Sequence, residues 1–419
     1  MRETLNAVLP ATRPMPQPPA GPPTALDFGR APFIVIWEVT QACELACRHC
    51  RAEARPRRDA GELTTAEGSA FLDEVRRFGR PLMVLTGGDP ALRPDLCELI
   101  RYGTSVGLRM TLTPSGTPRM TRDRIRDCAE AGLQRMAVSL DGSTPAVHDA
   151  FRGVSGSYGW TMDIINGCHA EGVPVQINTT VTKHNLRDLK AIEALMLRLD
   201  IVLWSVFFLV PTGRGRREDA LSAREFETVF HRLYDLGQCA PFDIKTTAAP
   251  HYRRVVLERD RAAGRATAAL KGVPAAEAAG QGALASTPAG VRGGMIATAA
   301  AGGGGGIATA PAGHGGGMIG RSAQGVNDGK GLVFVSHVGD IYPSGFLPVK
   351  AGNVRYHSLV DVYRRSHLFL DLRNPTLLRG KCGRCEYREV CGGSRGRAFA
   401  IAGDYLASEP YCVYRPPKR

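Results

Sequence analysis

Short apolar runs alternate with amphipathic stretches between about Pro32 and Gly237. Each run is rich in β-branched or aromatic residues and is closely followed by Gly, Pro, Asp or Ser, a pattern typical of buried strands. We therefore expect six parallel strands with helices between them. The six runs cover residues 33–39, 82–87, 108–114, 134–140, 173–181 and 201–210.

The segments between the runs carry helix signals. In "TTAEGSAFLDEVRRFG", Thr64 or Thr65 precedes an acidic residue at capping-box distance, and Gly79 marks the end. This alternation predicts an α/β fold, a partial (β/α)6 TIM-like barrel, whose reactive site lies at the carboxyl ends of the strands. Further helices are expected to begin near Pro94, Thr121, Ser157, Asn185 and Ser222.

The pattern divides the chain into five parts. A Pro-rich, disordered lead (1–30) precedes the core barrel (31–240) and a connector (241–260). Residues 261–325 consist mainly of Gly, Ala, Thr and Pro without periodicity, so we expect a disordered insertion that buries no face. Residues 326–419 form a small α+β module, with a hairpin turning at 338–340, a helix over 358–372 and a cysteine-rich tail.

Composition excludes several classes of function and indicates where the chain is located. The net charge of +13 comes from arginines that are scattered and not massed in one tract, so we do not expect nucleic acid binding. The sequence has no run of eighteen apolar residues and no apolar stretch before its N-terminal prolines, so we expect no membrane span or export signal and a cytoplasmic location. The chain has eleven cysteines. In a reducing compartment, closely spaced cysteines hold metal more often than they form disulfides.

Two cysteine groups carry this metal signal. Cys43, Cys47 and Cys50 follow the first predicted strand as C-x3-C-x2-C. No fourth cysteine completes a tetrahedral zinc site, and adjacent His49 is poorly placed to join the same metal, although we keep it as a candidate cofactor contact. A [4Fe–4S] cube held by three cysteines leaves one iron open. A partial zinc site or redox loop is the alternative.

The second group lies in the tail and is spaced C-x2-C-x5-C-x20-C; its members are Cys382, Cys385, Cys391 and Cys412. Four thiolates suit zinc or an iron–sulfur cluster equally well. The remaining cysteines lie singly in helix-like segments, where free cysteine behaves as a small buried hydrophobe, and we assign them no chemistry. They are Cys97, Cys128, Cys168 and Cys239.

The first cysteine group resembles the signature of the radical S-adenosylmethionine (SAM) superfamily. The segments "LTGGDP" (85–90), "VSLDG" (138–142) and "HDAFRG" (148–153) resemble further motifs of that superfamily, and together they span roughly residues 35–240. Taken singly, each polar residue of these motifs is equally well explained by a role in a turn or a helix cap. The resemblance implies SAM contacts from Gly87, Gly88, Asp89 and Pro90 at the amino group, Ser139 at the ribose, Arg152 at the carboxylate, Asn178, and Val210 with Pro211 at the adenine.

The resemblance also implies an activity. A reduced [4Fe–4S] cluster would cleave SAM to methionine and a 5′-deoxyadenosyl radical, which takes a hydrogen atom from a substrate, while the protein positions the target bond. A reductase, flavodoxin or ferredoxin would supply the electron. No paired carboxylate or Ser-His-Asp set stands out, so no general acid or base is assigned.

The tail resembles the SPASM/Twitch extension, whose full form uses seven cysteines for two auxiliary clusters. The four tail cysteines match the ligands of the second cluster. At two positions where the full form has ligands of the first auxiliary cluster, this chain has Ser344 and Arg395. The resemblance therefore implies one auxiliary [4Fe–4S] cluster, which either transfers electrons or only stabilises the module.

The whole-chain layout is most similar to the radical SAM enzymes of haem d1 and sirohaem-dependent haem synthesis, with the pyrroloquinoline quinone and mycofactocin maturases nearby. Two substrate classes compete: a tetrapyrrole, whose acidic side chains suit the arginine surplus, and a precursor peptide. The short N-terminal lead favours a small molecule. A non-catalytic zinc scaffold or nucleic acid binder is the alternative of another class. Residues 251–254 and 325–331, which flank the insertion, either border a substrate cavity or serve only the fold.

Overall fold

The computed structural model describes residues 27–265 and 325–417, so the expected Pro-rich lead and Gly/Ala-rich insertion lie largely outside the described residues. The described part contains one mixed sheet. Its strands are β1 (Ile34–Thr40), β2 (Leu82–Gly87), β3 (Arg109–Leu112), β4 (Arg135–Ser139), β5 (Val175–Val181), β6 (Leu203–Phe208), β7 (Asp243–Thr247), β8 (Leu332–Val335), β9 (Asp340–Tyr342) and β10 (Gly352–Asn353).

Helices follow most of these strands. The predicted capping box at Thr64 is present with Glu67, and Ser222 forms a second one with Glu225. The helices are α1 (Thr65–Arg76), α2 (Leu96–Ser105), α3 (Arg122–Glu130), α4 (Pro145–Arg152), α5 (Ser157–Ala170), α6 (Leu189–Met196), α7 (Ala223–Leu236), α8 (Tyr252–Ala262), α9 (Leu359–Arg365), α10 (His367–Arg373), α11 (Gly380–Arg384) and α12 (Arg395–Ala402).

The predicted α/β fold is confirmed. Strands β1 to β7 lie side by side in sequence order and are parallel, so their carboxyl ends meet at one edge of the sheet. In β1, Val35, Trp37 and Val39 are fully buried in the main hydrophobic core. Glu38 and Thr40 alternate with them and therefore point to the opposite face of the sheet.

The C-terminal module continues the sheet of the core. Strand β8 pairs in parallel with β1, with Leu332 opposite Ile34, and β9 pairs antiparallel with β8 after the predicted turn. The sheet order is therefore β10-β9-β8-β1-β2-β3-β4-β5-β6-β7. The hairpin thus lies beside the first strand of the core.

Three local features differ from expectation. Residues 241–260, expected to form a connector, contain β7 and most of α8. The single helix expected over 358–372 is divided into α9 and α10, because Ser366 has an extended backbone and its side chain caps α10. Cys97 and Cys128 are not isolated from each other, since their sulfur atoms lie 3.5 Å apart between α2 and α3.

One buried arginine of the module connects it to the core. The Arg397 guanidinium in α12 donates to the carbonyl oxygens of Phe208 (3.0 Å) and Leu209 (3.2 Å) at the end of β6, and to the Glu409 carboxylate (3.2 Å). Both charged side chains are essentially inaccessible, and the guanidinium also lies over the Phe226 ring, 4.9 Å from its centroid. The β6 end and the module therefore have a fixed relative position.

We expect Arg397→Met to lower the free energy of unfolding by about 3–5 kcal/mol, because it leaves the Glu409 carboxylate buried without its cation. Denaturant unfolding would measure this. Adding Glu409→Gln should recover part of the loss. The matched control is Arg122→Met: the Arg122 side chain is exposed, so its pair with Glu171 should contribute far less. Equal, small effects of Arg397→Met and Arg122→Met would contradict the assigned role.

Candidate functional site

The cysteine loop begins at the carboxyl end of β1. Cys43 and Cys47 are buried, and the Cys43 sulfur lies 3.4 Å from the backbone nitrogen of Leu45 and 3.3 Å from the Ser115 hydroxyl. Burial raises the pKa of Cys43 to about 11. The unligated thiol is therefore protonated at neutral pH, and a metal centre must displace that proton to hold the thiolate.

This loop forms one wall of a cavity of about 1060 Å³, measured with its open mouth, which we call the cysteine-loop cavity. The structure brings most of the predicted contacts to its surface from different strands and loops. Those lining it are Cys43, Cys47, Cys50, His49, Gly87, Gly88, Ser139, Arg152, Asn178 and Val210.

Gly87 and Gly88 are required by a close backbone approach. A Cβ atom at Gly87 would lie 2.3 Å from the carbonyl oxygen of Thr40, and one at Gly88 would lie 2.3 Å from that of Ala42. The end of β2 therefore packs directly on the start of the cysteine loop. The two glycines let their backbone form part of the cavity wall.

Three predicted contacts lie outside the lining of this cavity. The Asp89 carboxylate is buried and accepts hydrogen bonds from the backbone nitrogens of Ala91 and Ser115 and from the Thr117 hydroxyl. Pro90 begins a buried 3₁₀ turn. Pro211 follows Val210, and only Val210 reaches the cavity. Asp89 therefore orders the loop that carries Ser115 and is not directed at a ligand.

Arg152 and His49 lie against the cysteines. The Arg152 guanidinium is 2.5 Å from the Asp141 carboxylate and 3.6 Å from the Cys47 sulfur. Burial, with Arg152 and Arg214 nearby, holds the pKa of His49 well below its ordinary value. His49 is therefore neutral, and its ring packs 4.5 Å from that of Phe151.

A second cavity, the hairpin cavity, adjoins the first and shares Arg51 and Ala52 with it. It measures about 1100 Å³ with its open mouth and lies between the cysteine loop and the β8–β9 hairpin. On its wall the Glu38 carboxylate accepts from Arg51 (2.7 Å) and lies 3.1 Å from Nδ1 of His337. Burial acts to raise the pKa of Glu38, but Arg51 and His337 hold it below its ordinary value, so this carboxylate is ionised.

The tail cysteines surround a third, smaller cavity, the tail cavity, of about 400 Å³ measured with its open mouth. The backbone nitrogens of Glu409 and Gly393 each lie 3.3 Å from a sulfur, that of Cys382 and that of Cys391 respectively. Such N–H···S contacts are typical of iron–sulfur sites. Burial raises the pKa of Cys385 to about 12. This donor set fits a cluster held by four cysteines.

In the described ranges, 27–265 and 325–417, no group of three or more His, Cys, Asp or Glu side chains is arranged to hold a single metal ion.

Helix α8 supplies another wall of the tail cavity. His251 is buried beside the Phe226 and Phe230 rings, and neither of its ring nitrogens has a hydrogen-bond partner among the described residues. Burial lowers the pKa of His251 to about 3, so the ring is neutral. His251 and Arg254 thus face the tail cavity, and neither lines the cysteine-loop or hairpin cavity.

The sequence motifs did not identify several residues of these walls. Ser115, Arg214, Phe207 and Phe346 line the cysteine-loop cavity. The available signal was weak: "VPTGRGR" follows the sixth strand, where a barrel site is expected, but one arginine in a basic chain is not distinctive. Phe346 comes from the module, so only tertiary structure brings it to the site.

The arrangement of the cysteine loop at the end of β1, with glycines and polar residues at successive strand ends, agrees with a family match. The Radical SAM superfamily pattern matches residues 37–196. The chain belongs to the radical SAM superfamily and is an enzyme, with a [4Fe–4S] cluster and SAM as cofactors.

Within the superfamily, the chain is similar along nearly its whole length to an AdoMet-dependent heme synthase of Methanosarcina barkeri. The two are 38% identical over 390 residues, which cover 93% of this chain and 98% of that protein. A PqqA peptide cyclase of Rhodopseudomonas palustris is 27% identical over 394 residues, covering 94% of this chain and 89% of that protein. The predicted resemblance to cofactor-maturation enzymes is confirmed.

Among solved structures, Streptococcus suis SuiB bound to its precursor peptide SuiA has a TM-score of 0.65 to this chain at 15% identity. The match covers 92% of this chain and 76% of SuiB. At this identity it shows a shared fold. None of the helices in the described part of the chain has both the length and the apolar character of a membrane span.

We expect Gly88→Ala to weaken SAM binding by at least about 10-fold and to lower iron content, because the added Cβ forces the cysteine loop away from β2. Anaerobic equilibrium dialysis and iron analysis would measure this. Gly159→Ala in α5 is the control, since its Cβ would meet no atom within 4 Å. If both variants bind SAM like the parent, the close approach at Gly88 does not position the loop.

Proposed function

We propose that this chain is a radical SAM haem synthase that acts on an iron tetrapyrrole with acidic side chains. The observation that carries the proposal is the 38% identity to an AdoMet-dependent heme synthase over 98% of that protein. A precursor peptide is the competing substrate, supported by the fold shared with SuiB and by the more distant cyclase. We further propose a cytoplasmic location and a flavodoxin, ferredoxin or reductase as the electron donor.

In this proposal, Cys43, Cys47 and Cys50 hold the first cluster. When bound, that cluster supplies the electron that cleaves SAM to methionine and a 5′-deoxyadenosyl radical, which removes a hydrogen atom from the substrate. The backbone of Gly87 and Gly88 and the side chains of Ser139 and Asn178 then orient SAM. Phe207 and Phe346, whose ring centroids are 6.4 Å apart, exclude water from the same space.

The hairpin cavity is the proposed substrate space. It adjoins the cysteine-loop cavity at Arg51 and Ala52, so a molecule bound there lies next to bound SAM. Its volume of about 490 Å³, without the open mouth, lies within the range of small-molecule sites. Arg55 and Arg51 on its wall offer cations to acidic side chains, although Arg51 also pairs with Glu38. His337 lies against the same Glu38 carboxylate and offers a polar ring.

We also propose one auxiliary [4Fe–4S] cluster, held by the four cysteines of the tail cavity. Its complete set of protein ligands suits electron transfer. At one position where the full SPASM pattern has a cysteine, Arg395 is buried and donates to the carbonyl oxygens of Gly393, Tyr405 and Ala407. At another, the Ser344 hydroxyl accepts from the backbone nitrogen of Phe346. Both positions therefore have roles in hydrogen bonding.

We expect anaerobically purified protein to contain about eight irons per chain, from two cubane clusters. With dithionite and SAM it should release 5′-deoxyadenosine, measured by chromatography. Cys43→Ala should abolish that release, because it removes a ligand of the SAM-binding cluster, whereas Cys385→Ala should leave part of it. Colourless protein containing zinc would reject the proposal, and complete loss in Cys385→Ala would assign the tail cluster a purely structural role.

We expect iron coproporphyrin, an acidic iron tetrapyrrole, to bind the reconstituted enzyme with a shift of its Soret absorption band. Arg51→Met should weaken this binding by roughly 10-fold or more, since a charged contact is lost in a partly buried site. Arg216→Met, on an exposed loop side chain, is the control. Absence of binding, with 5′-deoxyadenosine release still intact, would favour the peptide substrate.

A further inference from the structure

Arg214 lines the cysteine-loop cavity from the loop between β6 and α7. Its Nε and Nη2 atoms are buried, and neither has a hydrogen-bond partner among the described residues. Buried polar groups without partners are costly and are rare in folded proteins. A buried guanidinium donor that faces a cavity therefore indicates an acceptor supplied by a ligand.

The backbone around Arg214 is firmly placed. Gly213 adopts a φ of +58°, and a Cβ atom there would lie 2.5 Å from the carbonyl oxygens of Cys50 and Arg51. The Arg214 backbone nitrogen donates to the Cys50 carbonyl oxygen at 3.0 Å. The backbone of the arginine is thus attached to the cysteine loop itself.

The two unpaired atoms identify the ligand's chemistry. Nε and Nη2 form the edge of a guanidinium that donates two parallel hydrogen bonds to a carboxylate. Among the described residues, Arg93 uses the same edge in this way on the Asp95 carboxylate, and Arg355 does so on the Glu67 carboxylate.

We propose that Arg214 binds a ligand carboxylate in the cysteine-loop cavity. Arg152 is less available for this task, because its guanidinium already contacts the Asp141 carboxylate and the Cys47 sulfur. The carboxylate has two sources: the methionine part of SAM or an acidic side chain of the substrate. Thr212 and Gly213, just before Arg214, line the hairpin cavity, so Arg214 lies where both molecules are within reach.

The SAM arm of the test uses full-length enzyme with its clusters reconstituted. Binding of SAM and of decarboxylated SAM is measured by equilibrium dialysis for the parent, Arg214→Lys and Arg214→Met. If SAM supplies the carboxylate, both variants bind SAM at least about 10-fold more weakly and bind decarboxylated SAM like the parent. Arg214→Lys keeps the charge but removes the two-pronged edge, so it separates geometry from charge.

The substrate arm rests on the proposed function and compares iron coproporphyrin with its tetramethyl ester. If the substrate supplies the carboxylate, Arg214→Met weakens binding of the acid at least about 10-fold, leaves the ester unaffected and leaves SAM binding at the parental value. Arg216→Met, two residues away with an exposed side chain, is the control in both arms.

The inference is overturned if both Arg214 variants bind SAM and iron coproporphyrin with affinities within 2-fold of the parent's. Iron content and circular dichroism equal to the parent's are required of each variant, and Arg214→Lys serves if Arg214→Met does not fold. A parent enzyme that binds SAM but not iron coproporphyrin rejects the tetrapyrrole substrate, and the SAM arm then decides the inference alone.

Discussion

The buried contact of Arg397 with the end of β6 is the constraint on which the site depends. A guanidinium with this little solvent contact needs acceptors in the protein, and Leu209, Glu409 and Phe208 supply one each to its three nitrogens. The module is thereby held against the end of β6, where Val210 enters the cysteine-loop cavity. The start of α12 also packs on Phe346, since a Cβ at Gly396 would lie 2.7 Å from the Phe346 carbonyl oxygen. The ring of Phe346 thus reaches a cavity built mainly by the core.

Much of the core followed from local pattern. The six apolar runs and their helix caps could be predicted because a strand buried on both faces is almost continuously apolar and a helix start needs a capping side chain. Strand β7 could not be predicted in this way. Its sequence, "DIKTT", has one apolar residue, because the strand lies at an edge of the described sheet and is only partly buried. The pairing of β8 with β1 could not be predicted either, since no local pattern specifies a partner about 300 residues away.

The candidate site likewise contains residues that local sequence identifies and residues that only the folded structure identifies. Cys43, Gly88 and Ser139 belong to motifs fixed by chemistry, so the sequence alone identified them, and the structure places them on one cavity. Asp89 belongs to the same motif, yet its carboxylate orders a turn. Arg214 carried no motif, and its unpaired buried nitrogens beside the cysteine-loop cavity distinguish it. Unsatisfied hydrogen-bonding capacity is a property of the folded surroundings, and a sequence does not display it.

The pairing of β8 with β1 has a consequence for synthesis of the chain on the ribosome. Strand β1 emerges early, but the strand that covers its outer edge follows about 300 residues later. At ordinary translation rates, that delay is roughly 15 to 60 s. During that interval β1 presents free backbone donors and acceptors on one side, which is the surface through which nascent chains aggregate. The growing polypeptide therefore needs protection at this edge, by a chaperone or by transient pairing, until residues 332–342 are made.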